Sequence, residues 1–376
     1  MKKGQSSRAG LLAAACCALV ILLRASSLGQ DAKAPDSKSQ NTKASDTKPQ
    51  DAKGETKETI TLEGVDRTYV VHLPRGYDEK QHYPMVVLLH GANQQADDME
   101  RLTRFNELAD KDSVIAVYPN SLHGSWNFGA TETVRVYQRG PYRRPGWGYP
   151  RRYPYPPREG ERERQRPTHA DDIDFFNRML DKLATRYSVD TTRIYFSGLS
   201  EGGFMTMKVG CGLSDRVAGI ATVGAAMPKT MICVPSRPLP VIMIDGTSDP
   251  VVKYDGGLGK HGRVRTISVE DTAKEWAKLN RCGAKPEKGK LPERVKGGMD
   301  TKIDTFSGCN ENAEVALYSV KGGGNTWPGG EQYEAEESVG KTSQDFSANE
   351  VIWSFLVKRR LPAASGEQRS STEAPK

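Results

Sequence analysis

Histidine is scarce in this chain, six residues among 376, and none follows His261. That scarcity argues against a histidine-rich metal centre, and the cysteines at 211, 233, 282 and 309 form no C-x-x-C pair, so zinc-type ligand spacing is missing too. No metal and no cofactor is expected. The apolar run at 11–23 is too short to span a bilayer comfortably. No recognisable nucleic-acid module occurs, which argues against specific nucleic-acid recognition.

What is present at the start reads as an export signal over residues 1–29: Lys2 and Lys3, the apolar run, then small residues ending near Gly29. Cys16 and Cys17 lie inside the apolar run, a poor match to a lipoprotein cleavage site. Residues 30–57 repeat lysines at 33, 38, 43, 48 and 53 with little apolar content between them, and are expected to be a disordered tether. The tail at 362–376 has the same character, which leaves 58–361 as the folded domain. After signal removal four cysteines remain, and an even number in an exported chain argues for two disulfides. Three pairings are open, of which Cys211 with Cys233 and Cys282 with Cys309 closes the shortest loops.

The formal net charge of +7 is concentrated in one place: residues 133–168 carry ten arginines against three glutamates, and the rest of the chain is balanced. This stretch also holds Tyr137, Tyr142, Trp147, Tyr149, Tyr153 and Tyr155 among prolines and glycines, a composition too polar and Pro-rich for regular structure. Two readings stand: a solvated insertion, or a basic, aromatic surface that grips a polymer, an anionic glycan or the cell envelope.

The remaining pattern alternates strands and helices. Residues 60–62 and 67–73 alternate as an antiparallel pair, 85–89 is a continuous apolar run suited to a buried parallel strand, and a helix is expected over 99–111 with a strand at 114–118. Helical spacing returns over 171–187, with strands at 217–223 and 239–244 and helices near 268–279 and 346–357. Such alternation implies an α/β sheet with helices on both faces.

Catalytic groups in that architecture belong at the C-terminal ends of the strands. The run Arg193-Ile-Tyr-Phe-Ser-Gly-Leu-Ser-Glu-Gly-Gly passes from a strand through Gly198-Leu199-Ser200-Glu201-Gly202 into a helix, which is a nucleophile elbow centred on Ser200. The N–H groups of Gly91, Ala92 and Glu201 are the expected oxyanion donors. Asp249, just past a strand, fits the acid that orients a base. The expected final histidine is absent: the late glycine-rich loop offers Asn325, whose amide has no basic lone pair at neutral pH.

At these residues the chain resembles the secreted polyhydroxybutyrate depolymerase and feruloyl esterase group of α/β-hydrolases, over roughly residues 60–358. The pattern G-L-S-x-G-G is matched by Gly198 to Gly203, and H-G-T-x-D-P-x-V by Gly246 to Val252 with Asp245 in place of the histidine. The pattern G-G-G-H-T-W-P-G-G is matched from Gly322 to Gly330 except at Asn325, where the family has its catalytic histidine. The resemblance implies an α/β-hydrolase fold, an ester or polymer substrate, and disulfides joining Cys211 to Cys233 and Cys282 to Cys309. For activity, three readings follow: an esterase with a displaced base such as His261 or His123, a weak or altered serine hydrolase, or a non-catalytic relative that binds polyesters or polysaccharides. His90 is expected to shape the oxyanion loop, while His72, His82 and His169 are ordinary strand or loop residues.

Overall fold

A computed structural model describes residues 54–129, 171–260, 262, 264–292 and 294–362. The signal segment, most of the tether, the basic insertion and nearly all of the tail lie outside the described residues.

The elements run β1 (Glu55–Leu62), β2 (Val65–His72), β3 (Tyr83–Leu89), α1 (Ala96–Thr103), α2 (Phe105–Asp112), β4 (Ile115–Pro119) and α3 (Asp172–Arg186). They continue with β5 (Val189–Leu199), α4 (Glu201–Gly212), β6 (Gly219–Val223), β7 (Val241–Gly246), β8 (Gly257–Leu258), β9 (Arg265–Thr266) and α5 (Val269–Leu279). The last are β10 (Glu287–Lys290), β11 (Thr301–Phe306), β12 (Val315–Val320), α6 (Glu336–Val339) and α7 (Ala348–Leu356). One ten-stranded sheet takes the order β1-β2-β4-β3-β5-β6-β7-β12-β11-β10. Its centre, β4-β3-β5-β6-β7-β12, is parallel, and both edges are antiparallel. This is the α/β-hydrolase arrangement.

The continuous apolar run of β3 has its reason in this layout. Met85, Val87 and Leu89 join one core and Val86 and Leu88 the other, because successive side chains of a strand point to opposite faces and both faces are covered. Helices α3, α4 and α5 cover the first face through Phe175, Phe176, Met179, Met205, Val209 and Trp276. Helices α1, α2 and α7 cover the second through Met99, Leu102, Phe105, Trp353 and Leu356. Each such burial contributes about 1.5–3 kcal/mol.

Several expectations are corrected. The helix expected over 99–111 is two helices, because Arg104 adopts a left-handed conformation with φ 51° and turns the chain between α1 and α2. Strand β1 begins at Glu55, inside the stretch assigned to the tether, since Thr56 and Glu58 face inward while Lys57 and Thr59 face out. Buried Glu58 there accepts hydrogen bonds from Tyr69 and Tyr187 and pairs with Lys182 and Arg186, which ties β1 to α3. Three strands lie beyond the expected elements: β12 extends the parallel centre, and β11 and β10 form the antiparallel edge next to it.

Candidate active site

Strand β5 ends and α4 begins at Ser200, whose φ of 56° and ψ of −115° lie outside the ordinary regions for a residue with a side chain. The surrounding packing maintains this conformation. Ser200 N–H donates to Val223 O at 2.8 Å on the neighbouring strand, and the chain reverses where no side chain fits: a Cβ at Gly198 would lie 2.3 Å from Gly202 O, and one at Gly202 only 2.2 Å from Leu89 O. Two glycines at this spacing let the helix start directly against β3. Ser200 lines a cavity of about 460 Å³ together with Ala92, Glu201, Phe204, Asn325 and Tyr333.

After β3, His90 is buried and held in one tautomer. Its Nδ1 lies 2.7 Å from Gly91 O, which can only accept, and the Ser121 N–H donates to Nε2 at 3.0 Å. Burial pushes this imidazole down to about 4, so it stays neutral. Trp126 Nε1 donates to His90 O at 2.8 Å, and Glu201 accepts from Ser125 Oγ at 2.9 Å, fixing the loop after β4 to the elbow. The Gly91 N–H is engaged by Gln94 Oε1 at 2.8 Å. Gly91, Ala92 and Glu201, the expected oxyanion donors, all line the cavity with Ser200, and among them the Gly91 N–H is bonded to the Gln94 side chain.

The loop after β7 carries Asp249. Its Oδ1 accepts the N–H groups of Val251 (2.7 Å) and Val252 (2.8 Å), and its Oδ2 accepts Asn325 Nδ2 at 2.6 Å. Burial outweighs these bonds and raises the carboxyl to about 6. Asn325 itself is fully buried. Its Nδ2 also donates to Gly224 O at 2.9 Å, and exchanging its amide atoms would set an oxygen against two acceptors, so the orientation is determined. The backbone of Asn325 is clamped by Val339 O (2.6 Å) and by the Tyr333 hydroxyl (2.9 Å). Its Oδ1 is buried with no hydrogen-bond partner.

Asp245, at the end of β7, accepts the Ala225 N–H at 2.8 Å through Oδ1 while Oδ2 is unpartnered. Full burial raises this carboxyl well above the ordinary range, which favours its neutral form. Asp245 and Asn325 thus grip adjacent residues of one loop, Ala225 and Gly224.

The site therefore brings Ser200, Asp249 and Asn325 to one end of the sheet. His123 is exposed, with φ 55°, and does not line the cavity, so the expectation of a displaced base there is corrected: its backbone turn faces Asn93 instead. His261 lies outside the described residues. The cysteines pair as Cys211 with Cys233 and Cys282 with Cys309. Tyr333 and the carboxylate of Glu201 escaped the sequence reading, and no local signal marks either, since their partners lie far along the chain.

A family model described as "Esterase PHB depolymerase" matches residues 67–138. NocK of Nocardia uniformis subsp. tsuyamanensis, provisionally named an esterase, is 26% identical over 313 residues, 80% of this chain and 82% of that protein. Feruloyl esterase B of Piromyces equi is 31% identical over 186 residues, 48% of this chain but 31% of that protein's length. Among solved structures, the acetyl xylan esterase from Aspergillus awamori aligns over 70% of this chain and 92% of its own at 12% identity, with a TM-score of 0.44. The chain is similar to polyhydroxybutyrate depolymerase-type and feruloyl esterases.

Proposed function

We propose that this protein is an exported carboxylic ester hydrolase in which Ser200 is the nucleophile and the Ala92 and Glu201 N–H groups receive the developing oxyanion. The observation that carries the reading is the strained elbow at Ser200, placed at the N-terminus of α4 and opening on a cavity of about 460 Å³. The positive end of that helix favours negative charge on the attacked carbonyl oxygen. Two disulfides and the amino-terminal signal pattern support export. The arginine- and tyrosine-rich stretch at 133–168 is the segment we assign to contact with a polymer or the envelope.

Asn325 occupies the position of the general base, and removing the base of a Ser-His-Asp unit costs about 10⁶ in kcat, leaving about 10³ to 10⁴ over water. Turnover is therefore expected to be slow. The same substitution favours a second reading, a non-catalytic relative that binds esters or polymers in the Ser200 cavity. Hydrolysis of a short p-nitrophenyl ester by the wild type and by Ser200→Ala separates the two. Hydrolysis that disappears in Ser200→Ala supports the enzyme, whereas equal rates in both proteins sink it and leave the binding module.

A further inference from the structure

No imidazole lines the Ser200 cavity among the described residues, and the side chain on its wall that is bonded to Asp249 is Asn325. We propose that Asn325 and Asp249 form a proton relay, in which Asn325 Oδ1 takes the Ser200 hydroxyl proton while Asn325 Nδ2 passes one to Asp249 Oδ2. This extends the esterase reading and rests on it.

The amide is built into the site in the orientation a relay needs. One Nδ2 hydrogen points at Asp249 Oδ2 at 2.6 Å and the other at Gly224 O at 2.9 Å. When the first is given up, the second still anchors the nitrogen. Oδ1 is a buried acceptor without a partner, on a residue that shares the cavity wall with Ser200. It is one of several such atoms in the protein, and it is the one on a residue that lines the cavity beside Ser200. Ser200 makes no hydrogen bond to it, and catalytic hydrogen bonds of this kind tighten when substrate binds.

The step balances. The Ser200 Oγ–H bond breaks as Oγ bonds to the acyl carbon, and the carbonyl oxygen becomes the oxyanion. Asn325 gains a proton on Oδ1 and loses one from Nδ2, passing from amide to imidic acid, and Asp249 becomes a neutral carboxylic acid. When the tetrahedral species collapses, the bond to the alcohol oxygen breaks, that oxygen takes the proton from Oδ1, and Asp249 returns its own to Nδ2. Water then repeats the sequence on the acyl-serine. The imidic acid lies uphill, so the relay is slower than an imidazole.

Asp249 is suited to be the terminal acceptor. With its carboxyl raised to about 6 by burial, a proton there is disfavoured only about tenfold at pH 7, against more than about a thousandfold for an ordinary aspartate. Besides burial, the groups acting on it are the Asn325 amide and the N–H donors of Val252 and Val251, while Asp245 at the end of β7 and the Tyr333 phenol lie close enough to feel its charge. Lys260 and Glu334 stand on the wall of the same cavity.

The test uses the full chain and p-nitrophenyl acetate between pH 4.5 and 8.5, with Ser200→Ala, Asp249→Asn and Asn325→Leu compared by rate and by melting temperature. The Ser200-dependent rate should rise through about pH 6 and then level off, and folded Asp249→Asn and Asn325→Leu should each fall by about 10² or more and lose that rise. Wild-type levels of Ser200-dependent hydrolysis in folded Asp249→Asn overturn the relay and leave the esterase reading intact. Should the variants fail to fold, the wild-type profile decides alone: a Ser200-dependent rate proportional to hydroxide, without a plateau above pH 7, also overturns the relay. Hydrolysis that does not depend on Ser200 overturns both.

Discussion

The elbow at Ser200 and the loop at Asn325 line one cavity and are specified in different ways. At the elbow, the geometry is written into the backbone: the positive φ, the bond from Ser200 N–H to Val223 O and the two glycines place the proposed nucleophile before any side chain is considered. At the Asn325 loop the backbone is equally well held, by Val339 O and Tyr333, yet the chemistry depends on a single side chain. A scaffold of the first kind tolerates little change. One of the second kind can keep its geometry while its reactivity is altered, because the amide reproduces the bond to Asp249 that a neutral imidazole would make.

The largest expected effect comes from breaking the backbone-specified side. Gly202→Ala sets a Cβ 2.2 Å from Leu89 O and 2.6 Å from His90 O, and backbone atoms of a central strand cannot yield. The substitution should destabilise the fold by about 3 kcal/mol or more, in the range of overpacking and backbone strain. Chemical denaturation of the variant measures this, and a loss below about 1 kcal/mol would mean the elbow is more compliant than its contacts imply.

The difference between the regions was also unequal in the sequence. The elbow was legible because a strand, two glycines and a helix are all local signals, and the motif around Asn325 was legible as a resemblance. The split at Arg104 was hidden because both helices share one apolar periodicity and nothing in the residue type demands φ 51°. The strands β10 and β11 were hidden by polarity: the Glu287–Lys290 strand is exposed at every position, and an edge has only one neighbour to satisfy. The engagement of Gly91 by Gln94 could not be read either, since it depends on how the loop after β3 closes.

A smaller effect sharpens the other side of the comparison. Burial raises Asp249 to about 6 from an ordinary 3.8, so the folded protein binds this proton more tightly than the unfolded chain. The associated stabilisation, about 3 kcal/mol at most, is complete below about pH 4 and is lost as the pH rises through about 6. Unfolding measured against pH should therefore show the wild type losing stability relative to Asp249→Asn across that window. Parallel curves for the two proteins would mean that the hydrogen bonds to Asp249 fully offset its burial.

Asn325→His tests the central claim most directly, because it supplies a base where the proposed nucleophile, oxyanion donors and acid stand. With the loop backbone held by Val339 and Tyr333, the new imidazole should lie between Ser200 and Asp249. General-base catalysis is worth about 10² to 10⁴, and neutral-pH hydrolysis of a short p-nitrophenyl ester should rise at least about tenfold after allowance for neighbouring Asp245. Adding Ser200→Ala should abolish the gain. A folded Asn325→His protein with unchanged or lower activity would contradict the account, since Ser200 and Asp249 would then not form a hydrolytic site completed at position 325.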